Sequence, residues 1–471
     1  MNHTIGASLP EGNIEFSLAQ ILSSLSYALD LTSGQPMGHA QRSCLIAMRI
    51  ASQIPLSEEE QATLYHAMLM KDAGCSSNAA RMAEIFGSDD ISAKRMSKIT
   101  DWSNVMEAAR YAAAHTLPQR SLLERAKRIL YISTHQVETS TALMESRCNR
   151  GAQIAVAIGL GEPAAECIRH LDEHWDGKGG PYHLKGDAIS ILGRIACLAQ
   201  TLEVFAKTFD VPTAYELIRK RSGKWFDPQL VQMAGSFENN ADFWHDVHHN
   251  TRHALLSLEV RATVEDASQS RIDAICDAFA QIVDAKSPFT AEHSFRVRDY
   301  AVQMGEALGI TGTRLTTLRR AALLHDLGKL AVSNTILDKA GKPTDEEWAS
   351  IRKHPFYTRE ILQHIKGFER LTEIAAAHHE RLDGRGYFRG LNADQLDLDM
   401  RILSAADVFD ALSAERPYRG ALPLEEVFAI MDKDAGKALD VECIAALKSI
   451  YGNTTLSLMA AKSQQPYARA A

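Results

Sequence analysis

The chain predicts an all-α fold built from two tandem helical units, and three observations carry that expectation. Apolar residues recur at three- and four-residue spacing along most of the 471 residues, the period of one buried helix face. Alternating two-residue patterns are scarce, so any sheet is minor. The second half also echoes the first at a nearly fixed distance, the mark of a duplicated structural unit.

Helical stretches are expected at "FSLAQILSSLSYAL" (16–29), "LERAKRILYIS" (123–133), "IDAICDAFAQIVDA" (272–285), "YAVQMGEALGI" (300–310) and "LEEVFAIMDK" (424–433). The repeat places "SGQPMGHAQRSCLIAMRIASQI" (33–54) on "KSPFTAEHSFRVRDYAVQMGEAL" (286–308), with His39 opposite His293. At the same separation "LMKDAGC" (69–75) falls on "LLHDLGK" (323–329). Further on, "EHWDGKGGPYHLKG" matches "ERLDGRGYFRGLNA" at a shorter separation, so about 47 extra residues lie inside the first copy around 80–145. The expected plan is a first unit over 1–235, a helical, histidine-rich and exposed connector over 236–270, and a second unit over 271–471.

Composition narrows the function classes. Hydrophobic content of 45% with 23% charged residues is ordinary for a globular protein. A net charge of −8 argues against unspecific binding to nucleic acid or anionic membrane. Seven cysteines without a Cys-x-x-Cys pair make a disulfide framework or thiolate zinc site a poor fit. The apolar run "IAVAIGL" (154–160) is far too short to span a bilayer, and the start of the chain lacks a secretion-signal pattern. A cytoplasmic protein with no membrane and no nucleic-acid partner is expected.

The chemistry is concentrated in the second half. His293, His325-Asp326, Lys329, His354, His378-His379 and Asp407 are spread over apolar helical segments. "AALLHDLGKL" (321–330) reads as a helix with Lys329 one turn after His325, and "AAAHHERLDGRGY" (375–387) ends an apolar stretch on two histidines. A lone histidine on such a face is usually a hydrogen-bonded core residue. Seven imidazole and carboxylate groups in one half point instead to metal binding, and to two ions rather than one. Two cations about 3.5–4 Å apart polarise phosphoryl oxygens and hold an attacking hydroxide, which suits phosphodiester hydrolysis. Asp326 is the candidate bridging carboxylate, and Lys329 offers a point charge to a phosphate. A ligand set without thiolate suits iron or manganese, with zinc or nickel also possible.

"HDLGK", "HHERLDGRGY" and "ADVFDALSAERPYRG" resemble the HD-GYP subgroup of the HD phosphohydrolase superfamily, over about 270–455. The resemblance implies hydrolysis of a cyclic dinucleotide, cyclic di-GMP first, to linear pGpG or GMP, with 3′3′-cyclic GMP-AMP as the alternative substrate. It implies His293, His325, Asp326, His354, His378, His379 and Asp407 as ligands of two metal ions. Asp326 and Lys329 are then the catalytic pair, and Lys329, Arg416 and Arg419 the substrate contacts. Two positions depart from the subgroup's pattern. Its Gly-Tyr-Pro signature reads Gly386-Tyr387-Phe388 here, and Phe289 stands where three-metal members carry a glutamate.

The first copy keeps only His39 and Asp72. Lys71, Cys75, Arg147, Leu171, Asp172 and Gln200 stand opposite His325, Lys329, His354, His378, His379 and Asp407. It resembles a degenerate HD domain, which implies tandem HD-type domains with a metal-free, regulatory N-terminal copy. Lys71 and Arg147 either line an anion pocket or replace the lost ions with their own charge. His245, His248, His249 and His253 fall at helical spacing in the connector but lack a carboxylate motif. A non-catalytic signalling adaptor is the competing reading of the whole chain. A diguanylate cyclase or other regulatory protein, and a second copy of the chain, are candidate partners.

Overall fold

The computed structural model describes residues 17–101, 104–118, 120–134, 136–258, 268–415 and 420–452. All regular structure among them is helical, and the only β pairing described is three isolated bridges. Arg416 and Arg419 lie outside the described residues.

The helices of the two halves correspond in order. Leu18–Thr32, His39–Ala51, Glu58–Met70, Gly161–Arg169 and Ile191–Thr208 have counterparts in Gln269–Asp284, His293–Ala307, Gly312–Leu324, Glu369–Ala376 and Leu398–Ser413. Even a small loop repeats, as the bridge Ser222–Phe226 is matched by Ala435–Leu439. The extra residues of the first copy form the helices Ala79–Phe86, Asp90–Ser97, Val105–His115 and Leu122–Thr134 and the start of Gln136–Ala157.

One apolar core runs through both halves, and a smaller one (Met82, Ile85, Phe86, Ala93, Tyr111) lies under the inserted helices. Helix Leu18–Thr32 has an apolar face so wide that it buries nearly its whole length. It packs on its own unit and also on the turn Leu327–Ala331 and the helix His354–Leu362 of the second unit. Reciprocally, Gln269–Asp284 packs against Gln136–Ala157 of the first.

Two expectations need correction. The segment 321–330 is not one helix: Gly312–Leu324 stops before His325, and a 3-10 turn covers Leu327–Ala331. The cause is local. The Gly328 N–H donates to Thr358 Oγ1 (2.9 Å), whose hydroxyl in turn donates to the His325 carbonyl (2.9 Å), replacing helical hydrogen bonds. A Cβ on residue 328 would run into the His354 carbonyl, so only glycine lets these segments meet. The connector, too, is not an exposed link. Its helices Ala241–His249 and Thr251–Ser257 bury Trp244, Val247 and Leu255 against the first unit, because apolar residues recur there three or four apart between the histidines.

Candidate metal centre

Three of the second-half histidines are aimed by one device. His325, His354 and His378 each direct Nδ1 at the carbonyl three residues back, of Ala322, Ile351 and Ala375, at 2.7 Å. These carbonyls lie at or next to helix C-termini, where backbone acceptors have no partner within the helix. Donating Nδ1–H there fixes the ring orientation, so each Nε2 faces inward, those of His354 and His378 3.0 Å apart. His293 is aimed differently. It is the first residue of its helix, and its Nδ1 donates to Asp410 Oδ2 at 2.6 Å, while Arg296 Nε holds Asp410 Oδ1 at 2.6 Å.

Asp326 sits at the middle of these rings, fully buried. Its Oδ2 lies 3.3 Å from His293 Nε2 and 3.4 Å from His325 Nε2. Its Oδ1 lies 3.3 Å from His354 Nε2 and 3.7 Å from His378 Nε2. Asp407 brings Oδ1 within 3.4 Å of His293 Nε2, and Oδ2 within 3.8 Å of His379 Nδ1. Three overlapping donor groups result, His293-His325-Asp407, His354-His378-His379 and, joining them, His325-Asp326-His378, with one Asp326 oxygen turned to each of the first two. Donor atoms this far apart match cations bound at about 2.0–2.2 Å.

The donor set fits metal ions on a further observation. His293 Nε2, His325 Nε2 and Asp326 Oδ1 are buried without a hydrogen-bond partner, although buried polar atoms rarely go unsatisfied. The electrostatics divide the rings into two sets. Burial drives His378 and His354 well below the ordinary imidazole value and His379 to about 4, so these rings are neutral ligands at pH 7. Burial opposes charge on His325 as well, but Asp326 and Asp407 outweigh it and raise this ring to about 10. Burial likewise opposes ionisation of Asp326, yet Lys329, His325 and His293 hold it well below the carboxylate range.

Lys329 reaches over Asp326 from the rim, and His379 is the most exposed of the seven donors. The solvent side therefore carries Lys329, His379 and Tyr387. Tyr387 lies against His379 with ring centroids 4.8 Å apart, and Arg352 lies 5.6 Å from the tyrosine ring. Gly386 is required there, since a Cβ would strike the backbone of His379 and Glu380. Phe388, in place of proline, packs on Phe356 with ring centroids 5.8 Å apart.

The profile of the HD domain family matches residues 23–230 and 277–443. The chain belongs to the HD domain family. Within it, the 3′3′-cGAMP-specific phosphodiesterase 3 of Vibrio cholerae is 42% identical over 434 residues, covering 92% of this chain and 94% of that protein. The crystal structure of a cyclic GMP-AMP specific phosphodiesterase of V. cholerae has a TM-score of 0.67 at 37% identity, covering 93% of this chain and 99% of that one. The cyclic di-GMP phosphodiesterase response regulator RpfG of Xanthomonas campestris is 31% identical over 202 residues, which is 42% of this chain and 53% of that protein. HD-domain phosphohydrolases are metal-dependent, and the candidate His/Asp sites here lie in the second HD unit among the described residues. No described helix is long and apolar enough to cross a membrane.

The first HD unit keeps the frame and fills the centre. His39 still opens its helix, preceded by Gly38 at φ 88° where the second copy tolerates Glu292 at φ 57°. Its Nδ1 donates to Glu203, which Arg42 also holds, as Asp410 and Arg296 hold His293. Its Nε2, however, accepts from Lys71 Nζ at 2.8 Å, and Lys98 Nζ lies 3.3 Å away. Both ammonium groups also bind Asp72, Lys98 at 3.0 Å. Arg147, at the His354 position, pairs with Asp172, at the His379 position. Of the two expectations for Lys71 and Arg147, charge replacement accounts for every one of these contacts.

Several functional groups escaped the sequence reading. Asp410 lies one turn after Asp407 on the same helix face, a spacing that signals a second inward carboxylate. Glu203 is its counterpart. Glu380, directly after the histidine pair, accepts from the N–H groups of Arg389 (2.8 Å) and Leu391 (2.9 Å), and so fixes the Gly-Tyr-Phe loop. Lys98 lies in the insertion and has no partner in the repeat. The connector histidines form no described metal cluster with acids or one another.

Proposed function

We propose that this chain is a phosphodiesterase whose second HD unit opens 3′3′-cyclic GMP-AMP with the aid of two divalent transition ions, iron or manganese first and zinc or nickel next. The observation that carries the reading is Asp326, whose two oxygens serve two clusters of inward-facing donors with unsatisfied atoms at their centre. His293, His325 and Asp407 would hold one ion and His354, His378 and His379 the other, with Asp326 shared. Bound there, the pair supplies a polarised phosphoryl oxygen and an acidified water.

This chain's own side chains account for the rest. Asp410 and the carbonyls of Ala322, Ile351 and Ala375 orient the imidazoles, so ligand geometry does not reorganise during turnover. Lys329 stands at the rim as a point charge for the non-bridging phosphate oxygens. Hydrolysis adds water across one P–O bond: oxygen joins phosphorus, the sugar oxygen leaves and takes a proton, and the ring opens. Arg416 and Arg419 remain proposed dinucleotide contacts.

The substrate order reverses against the sequence reading, which placed cyclic di-GMP first. The relative named for 3′3′-cGAMP aligns along both halves, whereas the cyclic di-GMP enzyme of Xanthomonas aligns over fewer than half of these residues. Kinetic competition tests this. The expected result is a higher kcat/KM for 3′3′-cyclic GMP-AMP than for cyclic di-GMP; metal-loaded protein inert toward both would overturn the enzymatic reading.

A further inference from the structure

We infer that Asp90, carried by an inserted helix of the first unit, is a positioning residue for the metal centre of the second. Asp90 is fully buried, and apart from Lys94 on its own helix its partners lie across the boundary between the halves. Its Oδ1 accepts from the Asn334 N–H at 2.9 Å and from Ser333 Oγ at 3.3 Å, capping the short helix Asn334–Leu337 from outside its own unit. Its Oδ2 faces Lys94 Nζ at 3.1 Å and Lys286 Nζ at 3.6 Å. Asn334, in turn, donates from Nδ2 to the Lys286 carbonyl at 2.6 Å.

Those two segments are the ones that carry the centre. Ser333-Asn334 follows, one residue on, the turn Leu327–Ala331, which holds Lys329 and is preceded by Asp326. Lys286 starts the loop that leads through Ser287 and Thr290 into His293. One carboxylate therefore clamps both the loop ahead of His293 and the chain behind the His-Asp-Lys turn. Lys286 is itself 1% exposed and forms no hydrogen bond through Nζ, so Asp90 is the anion that balances it. A buried lysine facing an acid of the other unit is costly unless that acid is held in place.

The same helix, Asp90–Ser97, also reaches back. Lys94 donates to the Thr32 carbonyl at 3.2 Å, and Lys98, just past its C-terminus, binds Asp72 and His39 in the filled pocket of the first unit. A strut of about 12 Å thus has one end in the inactive pocket and the other beneath the active centre. The retained first unit is then a scaffold for the second centre through this strut.

The inference rests on the proposed role of that centre, so wild-type turnover and metal content are measured alongside; an inert wild type would count against the function rather than against Asp90. In the full chain, Asp90→Asn keeps the shape and removes the charge. The expected result is at least a tenfold lower kcat, metal lost at lower chelator concentration, and KM within threefold of wild type. Arg150→Ala, which removes a different contact between the halves (Arg150 Nη2 to Gln281 Oε1, 3.0 Å), is expected to leave all three unchanged. The double variant Asp90→Asn/Lys286→Met removes the unbalanced ammonium and covers the case in which the single variant folds poorly. It is expected to recover the melting temperature while kcat stays low. Recovery of kcat together with the melting temperature, equal losses in Arg150→Ala, or a kcat for Asp90→Asn within twofold of wild type would each overturn the proposal.

Discussion

The two HD units of this chain solve one structural problem in two ways. Each has a histidine at the start of a helix, a carboxylate holding its Nδ1, an inward aspartate and a glycine pressed against a neighbouring backbone. In the second unit the space between Asp326 and the imidazoles is left to donors whose lone pairs converge. In the first, Lys71 and Lys98 place ammonium groups on Asp72, and Arg147 covers Asp172. The difference teaches that the frame is selected by packing and the centre by charge. A buried carboxylate must meet positive charge, and either metal ions or side chains supply it.

The largest expected effect comes from emptying the second centre. His325→Ala/Asp326→Ala should reduce hydrolysis by about a thousandfold or more, given the several kcal/mol that metal polarisation supplies, and should strip the metal. Circular dichroism should stay near wild type. Unchanged turnover would remove the centre from the mechanism.

The matching change in the first unit should act on stability instead. Lys71→Met leaves Asp72 with Lys98 as its cation, and breaking a buried pair in this way costs about 3–5 kcal/mol. Melting should fall by several degrees with metal content unchanged. A loss of bound metal in this variant would erase the contrast between the units.

Acid sharpens the same contrast. Burial, then Lys71 and Lys98, lower His39 to about 4, against 6.5 for a free ring, while Glu203 pulls upward. The unfolded chain therefore takes up this proton first, and stability of the first unit is present above pH 6.5 and lost as pH falls toward 4. The shift corresponds to roughly 3 kcal/mol. Protection factors of residues 39–72, corrected for the intrinsic pH dependence of amide exchange, should fall over that window, and a flat profile would contradict it. The smallest effect is expected at a positioning group: Asp410→Asn should weaken metal binding about 10–100-fold by loosening His293, as outer partners of ligands do. Metal titration against a chelator measures it.

The all-helical fold, the repeat and the seven converging side chains were readable from sequence because each has a strong local signature: helical periodicity, constant separation, and histidines on apolar faces. Asp410 and Glu203 were not, since an acid on a helix is usually solvated and only packing shows which ones point inward. Lys98 and Asp90 lay in an insertion without a repeat partner to align them. The end of the helix before His325 was hidden as well. Its cause, the Thr358 hydroxyl standing in for helical hydrogen bonds, comes from 30 residues further along the chain. The roles of Arg416 and Arg419 stay where the sequence put them, as proposals.

Elemental analysis of the purified full-length chain tests the central claim most directly. Two transition ions per chain are expected, retained in His39→Ala/Asp72→Ala and lost in His325→Ala/Asp326→Ala. Metal that survives removal of the second pair, or disappears with the first, would contradict the assignment of one metal centre to the second unit.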